Sequence, residues 1–137
     1  LVGSEMCIRD RFGTNFGMTF QLIDDAIDYS SNKKILGKNT GDDFKEGKIT
    51  LPIILAYGRS NDKEKKFWER TISELNQNEG DFEMALEIIN KYQCIEDTLT
   101  RANHFSNVAV DSVDIFKDNI YKEKLVSLVT KSVSRIY

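Results

Sequence analysis

The sequence predicts an all-α fold on two observations: apolar residues recur at helical spacing through successive stretches of the chain, and neither strand-type alternation nor an internal repeat is present. The first helix shows the pattern most clearly. In Gly17-Met18-Thr19-Phe20-Gln21-Leu22-Ile23-Asp24-Asp25-Ala26-Ile27-Asp28, the polar residues Gln21, Asp24, Asp25 and Asp28 fall at i, i+3, i+4 and i+7 and share one face. Phe16, Phe20, Ile23 and Ile27 group away from that face, so the helix can bury one side and turn three carboxylates toward a common point. Acids this close repel and raise one another's pKa unless a cation joins them. Oxygen-rich clusters of this kind suit Mg²⁺ that shares its shell with water and substrate phosphate.

The next stretch, Gly37-Lys38-Asn39-Thr40-Gly41-Asp42-Asp43-Phe44-Lys45-Glu46-Gly47-Lys48-Ile49-Thr50-Leu51-Pro52, reads as a loop with three glycines and spaced lysines. Its glycines permit positive φ and close backbone approach. Lys38 and Lys48 can serve as point charges for phosphate oxygens. An acidic helix beside a basic, glycine-punctuated loop fits a ligand that carries phosphate and magnesium between them. The plain alternative is a solvated acidic face followed by a solvated loop.

Pro52 sits early enough for the first turn of a helix, and Ile53, Ile54, Leu55 and Ala56 make that segment apolar and buried. Residues 61–66 read as a polar break. Phe67, Trp68, Ile72 and Leu75 then repeat at helical spacing until Asn76-Gln77-Asn78-Glu79-Gly80 interrupts them, with Trp68 expected to pack. Asp81 is placed to cap a helix carrying Phe82, Ala85, Leu86, Ile89 and Tyr92. A long helix follows from about Ile95 to Lys117, with Leu99, Ala102, Phe105, Ala109 and Val113 on its apolar side. A last helix carries Leu125, Leu128, Val129 and Ile136. His104, the only histidine, has no triad or ligand partner beside it in sequence.

Composition narrows the function classes. A chain of 137 residues with 40% hydrophobic content can bury a core, and its net charge of −3 with interspersed signs offers no basic stripe for nucleic acid. No apolar stretch is long enough to span a membrane. Cys7 and Cys94 support neither a disulfide framework nor a zinc site, which fits a reducing cytoplasm.

At Gly17, Phe20, Gln21, Asp24, Asp25, Asp28, Gly37, Lys38, Gly41, Asp43, Gly47, Lys48, Thr50 and Pro52 the chain resembles the trans-isoprenyl diphosphate synthases, or polyprenyl synthetases. Their second aspartate-rich motif reads GxxFQxxDDxxD followed by GKxxGxDxxxGKxTxP. So long a composite pattern is far more specific than DDxxD alone. The wording GKNTGDDFKEGKITLP looks closest to long-chain members such as octaprenyl diphosphate synthases, and the run from Cys94 to Ala102 and the closing helix through Arg135 also resemble the family's C-terminal part. The resemblance implies the C-terminal part of an isoprenoid-synthase-type helical bundle over residues 12–137. Residues 1–11 do not match what precedes the motif in the family. They resemble a translated sequencing-adapter peptide, a non-native segment on which no role rests.

By this resemblance the reaction is Mg²⁺-dependent condensation of isopentenyl diphosphate with an allylic diphosphate, through ionisation, condensation and elimination. Asp24 and Asp25 are implied metal ligands, with Asp28 as a ligand or as orienter of bound water. Lys38 and Lys48 contact the diphosphate, Gln21 positions a ligand oxygen or water, and Asp43 holds a lysine or metal-bound water in place. Asp24, Asp25, Lys38 and Lys48 would carry the catalysis, and Glu46 is expected to be a solvated loop residue. A homodimer is implied for the full-length protein. The family's first aspartate-rich motif, the arginine pair after it and its Lys-Thr diphosphate contact are not found in this sequence, which implies a cut or mis-assembled fragment, inactive alone. Three rival readings stand beside it: a class I terpene cyclase fragment, a non-catalytic helical subunit partnering a full-length synthase, and a generic helical bundle with an acidic face.

Overall fold

The computed structural model describes residues 2–30 and 41–136, and the side chains of residues 5–30 and 41–135. Seven α-helices are formed among the described residues: α1 (Val2–Asp28), α2 (Asp42–Lys45), α3 (Leu51–Arg59), α4 (Asp62–Trp68), α5 (Asp81–Lys91), α6 (Cys94–Ser112) and α7 (Ile120–Val133). A π-helical turn, Glu69–Ser73, extends α4, and a 3₁₀ turn, Ser134–Ile136, extends α7. No strand occurs among the described residues, so the all-α expectation holds. None of the described helices is long and apolar enough to cross a membrane. The chain divides into two compact units, one of residues 1–23 and 99–137, the other of residues 24–98.

The unit of residues 24–98 is built around Trp68, whose indole N–H donates to the Ser60 hydroxyl at 3.1 Å; that hydroxyl donates in turn to the Ala56 carbonyl at 2.7 Å. This chain of donors satisfies the indole, which is only 2% exposed, and joins the end of α4 to the end of α3. Tyr29, Phe44, Ile53, Phe67, Ile72, Ile88 and Ile89 complete the same core, with Phe82, Leu86 and Tyr92 packed against it. Pro52 stands in the first turn of α3, where its missing N–H costs nothing.

Three details differ from the sequence reading. The polar run 61–66 is a helix start and not a break: Asn61 accepts from the N–H groups of Lys63 and Glu64, and Glu64 returns a bond to the Asn61 N–H. Asp81 does not cap α5. Gly80 occupies the cap position in the left-handed region, while Asp81 accepts a two-pronged ion pair from Arg70 at 2.8 Å per bond and the Asn78 N–H at 2.7 Å. Leu75, expected to continue an apolar stripe, lies beyond the π turn with φ of 53° and is exposed.

The unit of residues 1–23 and 99–137 relies on small residues. The Thr19 hydroxyl donates to Asn15 O at 2.9 Å and approaches Ala102 O at 3.4 Å, and Ala102, Ser106, Ala109 and Val113 are buried along α6 and just past its end. The helix ends at Ser112, short of the expected Lys117, because Lys122 gathers Asp114, Asp118 and the Phe116 carbonyl within 3.2 Å and Asn119 caps α7. Val129 is fully buried on α7, whereas Leu125 and Leu128 are exposed.

Two expectations follow. Trp68→Ala removes the centre of one core and should cost about 3–5 kcal/mol, enough to unfold residues 24–98 in thermal denaturation followed by circular dichroism. The Arg70 guanidinium holds the Asp81 carboxyl below its usual 3.8. The stability from this pair is therefore present above that value and lost as pH falls through the lowered one. Asp81→Asn should lower stability at pH 7 and flatten the acid limb of the stability profile; an unchanged limb would show the pair to be inert.

Candidate functional site

The acidic end of α1 and the segment that begins at Gly41 are joined by two bonds to one residue. The Asp28 carbonyl accepts the Gly41 N–H at 3.0 Å, and the Asp28 carboxylate accepts the Asp43 N–H at 3.1 Å. Asp43 then takes the Lys48 ammonium at 2.7 Å, so Asp28, Asp43 and Lys48 form a continuous polar chain. Burial raises the Asp28 pKa, and the neighbouring Asp43 charge raises it further. The Tyr29 hydroxyl is pushed up chiefly by burial, with the charges of Asp28, Asp43 and Asp25 adding to the effect.

Of the expected site residues, Asp25 lies only 6% exposed at the edge of the buried face of α1, beside Leu22 and Tyr29 in the helical projection. Asp24 is half-buried on the same helix. Consecutive residues point about 100° apart on a helix, so Asp24 and Asp25 leave α1 in different directions. Among the described residues no three His, Cys, Asp or Glu side chains make a metal-binding group. The donor set still fits a hard divalent cation in kind: the oxygens are carboxylate, and the Asp28 charge is already disfavoured by its surroundings. Gln21 is exposed on α1, one turn before Asp24. Phe20 departs from the apolar grouping: it is 44% exposed, with the Arg135 guanidinium 4.4 Å over its ring. Lys38 and Gly37 lie outside the described residues.

Two glycines of the loop show the positive φ and the close approach that the sequence suggested. Gly41 has φ of +88°, and a Cβ there would come within 2.7 Å of the Phe82 ring. Gly47 has φ of +67°, and a Cβ there would meet the Leu75 side chain at 2.4 Å and the Ile72 carbonyl at 2.9 Å. The close approach is to the protein's own α5 and π turn. Glu46 is not simply solvated either, since it binds the Lys48 ammonium at 2.9 Å. Lys48 thus sits between two carboxylates, and its pKa rises because of the bonds to Asp43 and Glu46. The sequence reading did not identify Tyr29, which directly follows the acidic motif and is 2% exposed. A single aromatic at that position carries no signal of its own.

The sequence model of the family described as Polyprenyl synthetase matches residues 5–89. The chain is 36% identical over 133 residues to an octaprenyl diphosphate synthase of Haemophilus influenzae, covering 97% of this chain and 40% of that protein. Identity to the octaprenyl diphosphate synthase of Escherichia coli is 34%, over 90% of this chain and 38% of that one. Among solved structures, a polyprenyl synthase from Caulobacter crescentus complexed with calcium and isoprenyl diphosphate superimposes with a TM-score of 0.86 at 40% identity, covering 96% of this chain and 40% of its own. A decaprenyl diphosphate synthase from Rhodobacter capsulatus gives a TM-score of 0.90 at 31% identity, over 98% of this chain and 42% of that one. The chain spans about two fifths of the length of the curated relatives it matches.

Gly47→Ala should destabilise residues 24–98 by more than about 1 kcal/mol, because the left-handed backbone and the Leu75 contact both oppose a Cβ. A melting temperature equal to that of the unaltered chain would remove the packing explanation. Asp28→Asn tests the raised carboxyl. The folded state binds this proton more readily than the unfolded chain, so ionised Asp28 costs stability as pH rises through and above the usual 3.8, and costs none well below it. An asparagine oxygen can still accept the Asp43 N–H. The substitution should therefore raise the melting temperature at pH 7 and leave it nearly unchanged at pH 3.

Proposed function

From the premise that the chain belongs to the polyprenyl synthetase family, as its C-terminal portion with the second aspartate-rich motif, we propose that it supplies one side of the active site of a trans-prenyltransferase. The reaction proposed is the condensation of isopentenyl diphosphate with an allylic diphosphate to a long-chain polyprenyl diphosphate. The observation that carries the reading is the chain Asp28–Asp43–Lys48 on the segment of Asp24 and Asp25, held by the Asp43 N–H on the Asp28 carboxylate and by the Asp43–Lys48 ion pair.

Breaking the allylic C–O bond leaves negative charge on the departing diphosphate and positive charge on carbon. Mg²⁺, held by Asp24, Asp25 and Asp28, would supply the neutralising charge for the diphosphate when bound. Lys48 would donate to the diphosphate oxygens, and Asp43 would aim its ammonium toward them. Gln21 and Lys38 complete the proposed set, Gln21 orienting an oxygen or water and Lys38 adding a second positive charge. Attack by the double bond of isopentenyl diphosphate and loss of a proton complete the condensation, so no protein nucleophile is required. Pairing of two copies and a cytoplasmic setting are parts of the same proposal.

In a second reading, this chain lends its surface to a full-length synthase and makes no product alone. Incubated with Mg²⁺, isopentenyl diphosphate and an allylic diphosphate, the purified chain should give no polyprenyl product; robust product would show that it is self-sufficient. The site itself is tested by calorimetric titration with Mg²⁺ and inorganic pyrophosphate. Asp24→Asn, Asp25→Asn and Lys48→Ala should each weaken binding roughly tenfold or more, while Glu79→Gln, an exposed acid with no described ion pair, should leave it unchanged. Equal binding by all four variants would defeat the assignment. Glu46→Gln does not serve as the control, since Glu46 binds Lys48.

A further inference from the structure

Gln77 lies in a run that reads as a polar interruption, yet it is partly buried and both N–H groups of its side-chain amide are used. Its Nε2 donates to the Phe44 carbonyl at 2.8 Å and to the Thr71 carbonyl at 2.9 Å. A glutamine amide has two N–H groups, so both are spent on backbone acceptors from segments otherwise distant in sequence. Phe44 is the central point of the loop. It follows Asp43, is buried at 2% exposure, and its carbonyl also accepts the Gly47 N–H at 3.0 Å, closing the turn that returns Lys48 to Asp43. Thr71 belongs to the π turn on which Gly47 rests. Gln77 is itself fixed from both sides. The Asn76 N–H donates to Arg70 O and Arg70 donates back to Asn76 O, while the Asn78 N–H is held by Asp81, the partner of Arg70.

We propose that Gln77 is a positioning residue for the Asp43–Lys48 turn: it sets the turn against the π helix so that the Lys48 ammonium is presented in one orientation to a diphosphate. This rests on the reading of Lys48 as a diphosphate contact. Removing an outer support of a charged ligand group typically weakens binding by a factor of ten to a hundred without unfolding the protein. A residue that only stabilises would lower the melting temperature and leave the affinity of the folded protein intact.

The test compares Gln77→Met, which keeps the length and loses both donors, with Gln77→Ala and with Asn61→Ala, which removes the α4 cap elsewhere in the same unit. Pyrophosphate with Mg²⁺ is titrated at a temperature where circular dichroism shows each variant fully folded, and the Gly47 and Lys48 amide resonances of the ligand-free proteins are followed by NMR. We expect the Gln77 variants to bind at least about tenfold more weakly and to shift or broaden both resonances, with Asn61→Ala unchanged in each respect despite a lower melting temperature. Unaltered affinity in Gln77→Met, or an equal loss in Asn61→Ala, overturns the proposal. If the unaltered chain binds no pyrophosphate, the reading of Lys48 fails; the resonances then decide the rest, and unmoved Gly47 and Lys48 amides would overturn the positioning of the turn as well.

Discussion

The bond from the Asp43 N–H to the Asp28 carboxylate is the contact on which the arrangement of the site depends. It fastens the last turn of the acidic helix to the first turn of the loop helix, and through Asp43 it fixes Lys48. A carboxylate placed there is costly, because partial burial and the Asp43 charge both oppose its ionisation. The fold retains it with a backbone donor. Strain of this kind is expected where side chains serve a ligand in preference to the core.

That bond is supported from below by packing that admits no side chain at two positions. Gly41 sits on the Phe82 ring and Gly47 on Leu75 and the Ile72 carbonyl, so the turn between them rests on α5 and the π turn. Gln77 supplies the polar counterpart, bridging the Phe44 and Thr71 carbonyls. The π turn is itself the widening of the helix that places Thr71 and Ile72 beneath the loop, in line with the tendency of such turns to occur beside functional segments.

The charge of Lys48 is more than offset by two carboxylates before any ligand arrives. Asp43 and Glu46 both bind it, and these pairs are exposed enough that solvent screens them. In the proposed role, a diphosphate would compete with two carboxylates for Lys48, and its multiple negative charges, together with Mg²⁺, are what would make the exchange favourable. Glu46 enters this balance through its ion pair with Lys48, although its position in a loop of mixed charge gives it no distinguishing mark in the sequence.

The helices were legible in the chain because burial imposes a period of 3.6 residues: Ile23 and Ile27, Ala85 and Ile89, Ala102 and Ala109 all occupy the buried positions that their spacing implies. The acidic motif and the glycine-lysine loop were legible as well, and with them the family, because a long pattern of fixed spacings is improbable without a shared fold. Contacts between segments distant in sequence were not legible. Nothing local distinguishes Gln77 from its polar neighbours, marks Asp81 as the partner of Arg70 instead of a cap, or shows that Gly47 must make room for Leu75. Periodicity records only which side of an element is buried. Which groups meet there depends on how separate elements pack, and hydrogen bonds and steric exclusion at that meeting decided the form of the site.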